Sequence, residues 1–196
     1  MKAVIRTLTD PQDREAALPA LAALRIAVFR EWPYLYDGTE AYEADYLKDF
    51  MSEAGSVLVV AEVEGAIVGA ATASPMSGQK AAFRAPFEQR GIDTGRLFYF
   101  GESVLNPQFR GLGIGHGFFD ARESAARAAG ADRAAFCAVI RPHDHMLRPD
   151  DARDLHPFWR ARGYAPVEAL TCSFDWKDID QKDESAHKMQ FWMRTL

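Results

Sequence analysis

The hydrophobic pattern along the chain switches repeatedly between a period of two and a period near 3.6. Residues 3–7 (Ala-Val-Ile-Arg-Thr) make a short β-prone opening. Asp10-Pro11 follows as an N-cap and a proline suited to the first helical position. Leu18, Leu21, Leu24, Arg25, Val28 and Phe29 then recur at helical spacing. That helix is expected to end near Trp32-Pro33, because proline restricts the residue before it. A second helix is expected from Thr39, with Tyr42, Tyr46, Leu47, Phe50 and Met51 on one face and Gly55 beyond its last turn. Two β-branched runs, 56–63 and 66–72, flank Glu64-Gly65 and predict a tight hairpin.

Residues 74–95 are irregular, with Ser-Pro and Ser-Gly breakers and a helical stretch at 79–89; they are too long for a plain connection and read as an insertion or a lid. A strong strand covers 96–105. From Ile114 a stripe of Ile114, Phe118, Ala121, Ala125 and Ala129 predicts a helix closed by Gly130. A strand at 134–140, a polar loop at 141–155, a short helix at 156–162 and two strands at 171–176 and 189–194 complete the chain. The order β–α–α–β–β–insertion–β–α–β–α–β–β predicts a mixed α/β domain. No internal repeat or interdomain linker is visible.

Composition narrows the class. The 196 residues fit one domain, 1–196. A net charge of −5 argues against nucleic acid as a partner. No apolar run approaches the ~18 residues of a membrane span, so no membrane partner is expected. Residues 1–10 lack a basic stretch followed by an apolar block, so the expected location is the cytoplasm. Cys137 and Cys172 have no disulfide framework or zinc spacing, and Cys137 reads as a small buried side chain.

The chemistry concentrates in Gln108-Phe109-Arg110-Gly111-Leu112-Gly113-Ile114-Gly115-His116-Gly117, between a strand and a helix. Closely spaced glycines let backbone approach a ligand, and a helix start offers free N–H groups with partial positive charge. The pair makes a site for phosphate or pyrophosphate. A dinucleotide G-x-G-x-x-G fails, because His116 or Phe118 falls at the last position, and a nucleoside-triphosphate loop fails for want of a lysine.

Arg-x-x-Gly-x-Gly does match, as Arg110, Gly113 and Gly115. Here the chain resembles the GNAT superfamily of acyl-CoA-dependent N-acyltransferases. The order of elements is similar, and Pro157-Phe158-Trp159-Arg160-Ala161-Arg162-Gly163-Tyr164 looks like that family's Phe-Tyr-x-x-x-Gly-Phe segment. The resemblance implies a central, mostly antiparallel twisted sheet of about seven strands flanked by about four helices. It implies acetyl-CoA as co-substrate, held by Val104, Leu105, Arg110, Gly111, Leu112, Gly113, Ile114, Gly115 and His116. It also implies a small-molecule or peptide amine as acceptor, with a second copy of the chain as a candidate partner. No metal is implied: His143, Asp144, His145, Asp150, Asp151, Asp154 and His156 lack ligand spacing.

Acetyl transfer requires the amine, with a pKa of ~10.4, to lose a proton, and the developing oxyanion to meet a donor. By resemblance a carboxylate on the long strand is the general base, and Glu102 stands there. Its plainer reading is a carboxylate that satisfies buried backbone or pairs an arginine. Val104 N–H is the expected oxyanion donor. The family's tyrosine acid is replaced by Trp159, whose indole cannot deliver a proton, which leaves His156 and Tyr164 as candidates or no acid at all.

Residues 31–53 carry seven acids against Lys48 alone, a formal charge of −6, together with Trp32, Tyr34, Tyr36, Tyr42 and Tyr46. Tyr34 and Tyr36 are the candidate acceptor contacts. An acidic aromatic wall suits a cationic amine; the plainer reading puts the acids in solvent and the tyrosines inward. The leading function is an acetyl-CoA-dependent N-acetyltransferase. The alternatives are a CoA-binding regulatory or non-catalytic module, or an acyltransferase using another acyl-CoA.

Overall fold

The computed structural model describes residues 2–196, so Met1 of the expected 1–196 domain lies outside the described residues. Strand β1 (Val4–Leu8) leads to helices α1 (Pro11–Phe29) and α2 (Glu40–Ser52). Asp10 caps α1 by accepting from Gln12 N (2.8 Å), and Thr39 caps α2 by accepting from Tyr42 N (3.3 Å). The hairpin β2 (Val57–Val63) and β3 (Ala66–Pro75) turns through Glu64 and Gly65, both at positive φ (52° and 82°). That is the turn whose twist matches paired strands. The insertion carries α3 (Ala81–Glu88) between two short 3-10 turns. Then come β4 (Leu97–Leu105), α4 (Ile114–Ala128), β5 (Arg133–Val139), α5 (His156–Ala161), β6 (Ala165–Lys177) and β7 (Glu184–Thr195).

Among the described residues the strands form one seven-stranded sheet in the order β1-β2-β3-β4-β5-β7-β6. Every neighbouring pair is antiparallel except β4 with β5. The helices number five rather than about four, the extra one being α3 within the insertion. β6 and β7 start earlier than the apolar runs at 171–176 and 189–194 suggest. Their outer halves are exposed and polar, and ladder pairing such as Lys177 opposite Glu184 makes them strands.

Alternation in β2 splits the core. Leu58 and Val60 meet Leu21 of α1 and Leu47 of α2, whereas Val59 and Ala61 meet Ile114 and Phe118 of α4. Two irregularities in β4 shape everything functional. Its register against β3 shifts: Ala71 faces Ser103 but Ala73 faces Phe100, so β4 bulges at Gly101 and Glu102. Phe100 therefore joins the cluster with Phe119 and Tyr164, while Val104 packs with Leu21 and Leu47 on the opposite face. Gly101 is required there, since a Cβ would stand 2.5 Å from Thr72 Oγ1.

The fully buried Arg122 of α4 backs the bulge. Its Nη1 donates to Thr72 O and Glu102 O (3.3 Å each), its Nε donates to Phe118 O (3.2 Å), and burial lowers its pKa to about 10. The second irregularity is the parting of β4 and β5. Among the described residues they pair only at Leu97–Tyr99 opposite Arg133–Ala135, and beyond that the strands splay into a cleft.

Candidate active site

The end of β4 runs through Asn106 and a 3-10 turn at Pro107–Phe109 into the glycine loop. Asn106 caps that turn, accepting from Gln108 N (3.4 Å). Gly111 and Gly113 both sit at positive φ (80° and 83°), with nothing within 4 Å of a Cβ built on either. Glycine is thus needed for backbone conformation rather than for room. Gly113 is the N-cap of α4 and places no side chain over the helix start. The first N–H groups to bond back are those of His116 and Gly117, both to Gly113 O (3.0 and 3.3 Å). Donors ahead of them lie outside the helical ladder.

A depression of about 560 Å³ adjoins, lined by Lys2, Ala3, Ile5, Leu112, Gly113 and Ile114. Arg110 reaches back to Leu105 O (3.3 Å) and Glu31 (2.8 Å), and the His116 ring stands edge-on to Phe158. Gly115 faces α5, with a Cβ position in ordinary contact distance of Phe158 (3.5 Å). The loop and cleft together suit a pyrophosphate with an extended arm running along β4.

The pleat of β4 decides which of its N–H groups face the cleft. Asn106 N donates to Val68 O (2.9 Å) and Glu102 N to Thr72 Oγ1 (3.2 Å), both toward β3. Alternation then turns Val104 N–H to β3, opposite Ala70, and directs those of Ser103 and Leu105 into the cleft. Val104 N–H, expected as the donor, thus faces the ladder and not the cleft.

Glu102 stands where the bulge aims it, on the side of α1 and α2. Its side chain is 3% exposed, and its Oε2 accepts from Arg25 Nη1 (2.8 Å) and Tyr46 OH (3.3 Å). The Nε of Arg25 pairs with Glu43, which is fully buried on α2. Burial opposes the charge on Arg25, but the carboxylates of Glu102 and Glu43 outweigh it and hold its pKa above the ordinary value. The guanidinium also lies over the Tyr46 and Phe29 rings, 4.1 and 5.1 Å from their centroids. Glu102 Oε1 has no hydrogen-bond partner. Glu102 thus pairs an arginine, as the plainer sequence reading expects.

Glu102 lines a cavity of about 360 Å³ with Tyr34, Tyr36, Tyr42 and Tyr46. The acids of residues 31–53 divide: Glu40, Asp45 and Asp49 are exposed, and Glu43 is buried against Arg25. Cys137 lines the same cavity, with Sγ 3.2 Å from Tyr99 OH; the Cys172 side chain lowers its pKa against the effect of burial.

Tyr164 and His156 are not among the residues lining this cavity. Tyr164 is buried beneath α4 with its hydroxyl donating to Glu123 (3.2 Å), and burial raises its pKa further above the usual phenol. His156 is exposed at the head of α5 beside Asp154 (3.2 Å). Trp159 packs against Phe136 and Trp192. Among the described residues no three His, Cys, Asp or Glu side chains are grouped to hold a metal ion.

Sequence reasoning missed Arg25 and Glu43 as partners. The signal for Arg25 was a lone cation on the apolar stripe of α1; Glu43 had none among the surrounding acids. It missed Arg141 as well. Arg141 grips Asp178 (2.6 and 2.7 Å) and the carbonyls of Pro33 and Tyr34, fixing the tyrosine segment against the β6–β7 hairpin.

Residues 21–148 match the family model described as Acetyltransferase (GNAT) family. That span contains Arg25, Glu43, Glu102 and the glycine loop. No curated protein matches the sequence. Among solved structures, ribosomal-protein-alanine N-acetyltransferase from Brucella melitensis superposes with a TM-score of 0.62 at 18% identity, over 98% of this chain and 99% of that one. The Salmonella typhimurium protein yncA, solved with its cofactor acetyl-CoA, gives 0.60 at 12% identity, over 100% and 95%. An aminoglycoside 6'-N-acetyltransferase complexed with coenzyme A gives 0.59 at 15% identity, over 98% and 96%. These likenesses concern the fold.

Proposed function

Because the chain belongs to the acetyltransferase (GNAT) family, we propose that it moves an acetyl group from acetyl-CoA to a primary amine by direct attack in a ternary complex. Residues 1–196 act as one domain in this reading. Acetyl-CoA, when bound, supplies an activated thioester carbonyl. The residues of the loop fit it: Gly111, Gly113, Ile114 and Gly115 offer backbone donors for a pyrophosphate, and Arg110, Leu112 and His116 flank them. Ser103 and Leu105 offer N–H groups along the cleft, in place of Val104.

The observation that carries the proposal is Glu102, a buried carboxylate with one unengaged oxygen on the strand that leads into the loop. The acceptor arrives as an ammonium, since its pKa is ~10.4. Glu102 Oε1 takes one proton, directly or through a water, while Arg25 and Tyr46 hold Oε2. The amine nitrogen then forms its bond to the carbonyl carbon, Ser103 N–H stabilises the developing oxyanion, the carbon–sulfur bond breaks as the oxyanion collapses, and the nitrogen's second proton goes to the departing thiolate. A thiol with a pKa near ~8.5 is a tolerable leaving group, so no side chain need fill the place of Trp159. The acceptor is a small-molecule or peptide amine and the setting cytoplasmic; no described helix is long and apolar enough to cross a membrane.

The test is thermal unfolding with and without acetyl-CoA, followed by CoA release with a panel of amines. Ligand at ~100 Kd adds about 2.7 kcal/mol, or roughly 5–10 °C in Tm for a chain of this size. A shift without turnover on any amine would favour a non-catalytic CoA-binding module. A larger shift with a longer acyl chain would favour a different acyl donor. No shift at millimolar acetyl-CoA would remove the transferase reading.

A further inference from the structure

The Glu102 cavity has a charge imbalance and a wall that together define its ligand. Four acids, Asp49, Glu53, Glu102 and Asp175, line it against two cations, Arg25 and Lys80. At its base Arg25 pairs with both Glu102 and Glu43, and the buried Arg122 backs Glu102 through its main-chain carbonyl. The tyrosine hydroxyls beside them are neutral: burial, helped by the neighbouring carboxylates, raises the pKa of Tyr36 and Tyr46 above the usual phenol. Glu102 Oε1 and Glu43 Oε1 are both buried without a hydrogen-bond partner. A cationic ligand matches the acid-rich lining.

The wall is aromatic. Tyr34 lies 4.6 Å from Phe29 and 5.9 Å from Trp176, and Phe83 lies 4.4 Å from Phe174 and 4.8 Å from Tyr99, centroid to centroid. All of these rings line the cavity, with Tyr36 and Tyr42 completing the wall. The remaining charges lie further out. Asp49, Asp175 and Lys80 are exposed, and Glu53 is engaged by Gln79 Nε2 (2.7 Å). Arg25 is already taken by two carboxylates, so Lys80 is the one other cation among the lining residues that could meet an anionic group. The outer acids steer cations inward and repel carboxylates.

We infer that the acceptor is a small primary amine on an aromatic body without a carboxylate, its ammonium at the Glu102 end of the cavity and its ring among the tyrosines. This rests on the transferase reading for its chemistry but not for its binding. An aliphatic diamine would place flexible methylenes against rings that a flat body fills better. An aromatic amino acid would bring a carboxylate against the acidic rim. A cavity of about 360 Å³ lies at the lower end of small-molecule sites.

The experiment measures binding of 2-phenylethylamine, 1,4-diaminobutane and phenylalanine to the full chain by titration calorimetry, and acetyl transfer to each from acetyl-CoA. The phenylethylamine is expected to lead the other two by about tenfold or more in both Kd and kcat/KM. Tyr42→Ala, at a half-exposed ring, should weaken phenylethylamine by about two- to fivefold and diaminobutane less, since only the former packs a ring against it. Leadership by diaminobutane or phenylalanine overturns the ligand class while turnover keeps the transferase reading. Selective phenylethylamine binding with no turnover on any amine overturns the transferase reading and upholds the ligand class. Absence of both binding and turnover overturns both.

Discussion

The glycine loop and the Glu102 cavity meet at β4, yet they are built from different material. The loop from Gly111 to Gly115 works through main-chain N–H groups, exposed glycines and one helix terminus, all within a few residues of sequence. The cavity works through side chains from α1, α2, α3, β4, β5 and β6, and at its base is a buried ion network joining residues 25, 43 and 102. A backbone site tolerates change in its side chains but not in its dihedrals. A side-chain site is the reverse: it depends on the identity of each side chain, for its chemistry and, in the buried ion network, for stability as well. The difference predicts that substitutions in the two regions fail in different observables.

Glu102→Gln puts that to its strongest test. Removing the proton acceptor should cut kcat/KM by about 10²–10⁴-fold while leaving the thermal shift from acetyl-CoA in place. Steady-state kinetics beside a melting curve would read both, and loss of the shift would mean the two regions are not separable. Next in size is Arg25→Met, which strands Glu43 and Glu102 without a cation. Breaking a buried pair costs about 3–5 kcal/mol, a fall of roughly 6–20 °C in Tm, and an unchanged melting temperature would show that the network is not buried in solution. The loop counterpart is Gly113→Glu, which sets a side chain and a negative charge at φ 83°. It should erase the roughly 2.7 kcal/mol stabilisation by acetyl-CoA at ~100 Kd without lowering amine affinity in calorimetry.

Tyr164→Phe is the smallest effect. The variant loses the hydroxyl bond to Glu123, worth about 1 kcal/mol, and with it roughly 2–4 °C in Tm. Because that hydroxyl points into the α4 face of the core, kcat/KM should hold; a large drop would return Tyr164 to the chemistry.

The amino-acid sequence determined the order of elements, the Glu64-Gly65 hairpin, the strand–glycine–helix unit and the position of Glu102, because each depends on interactions within a few residues. Positive φ at Gly111 and Gly113, caps at Asp10 and Thr39, and the period of the Ile114 stripe are local facts. The tertiary structure decided the rest. The bulge at Gly101 reverses the facing of β4 between Phe100 and Glu102, and it exists because β3 pairs out of step and Arg122 fills the gap from another helix. It was the same long-range pairing that turned Val104 N–H into the ladder and left those of Ser103 and Leu105 to the cleft. Arg25 sat in plain view on an apolar stripe, and Glu43 among seven acids. Only the packing of α1 and α2 over β4 showed that one cation answers two carboxylates, since buried charge balance is a property of what meets in space.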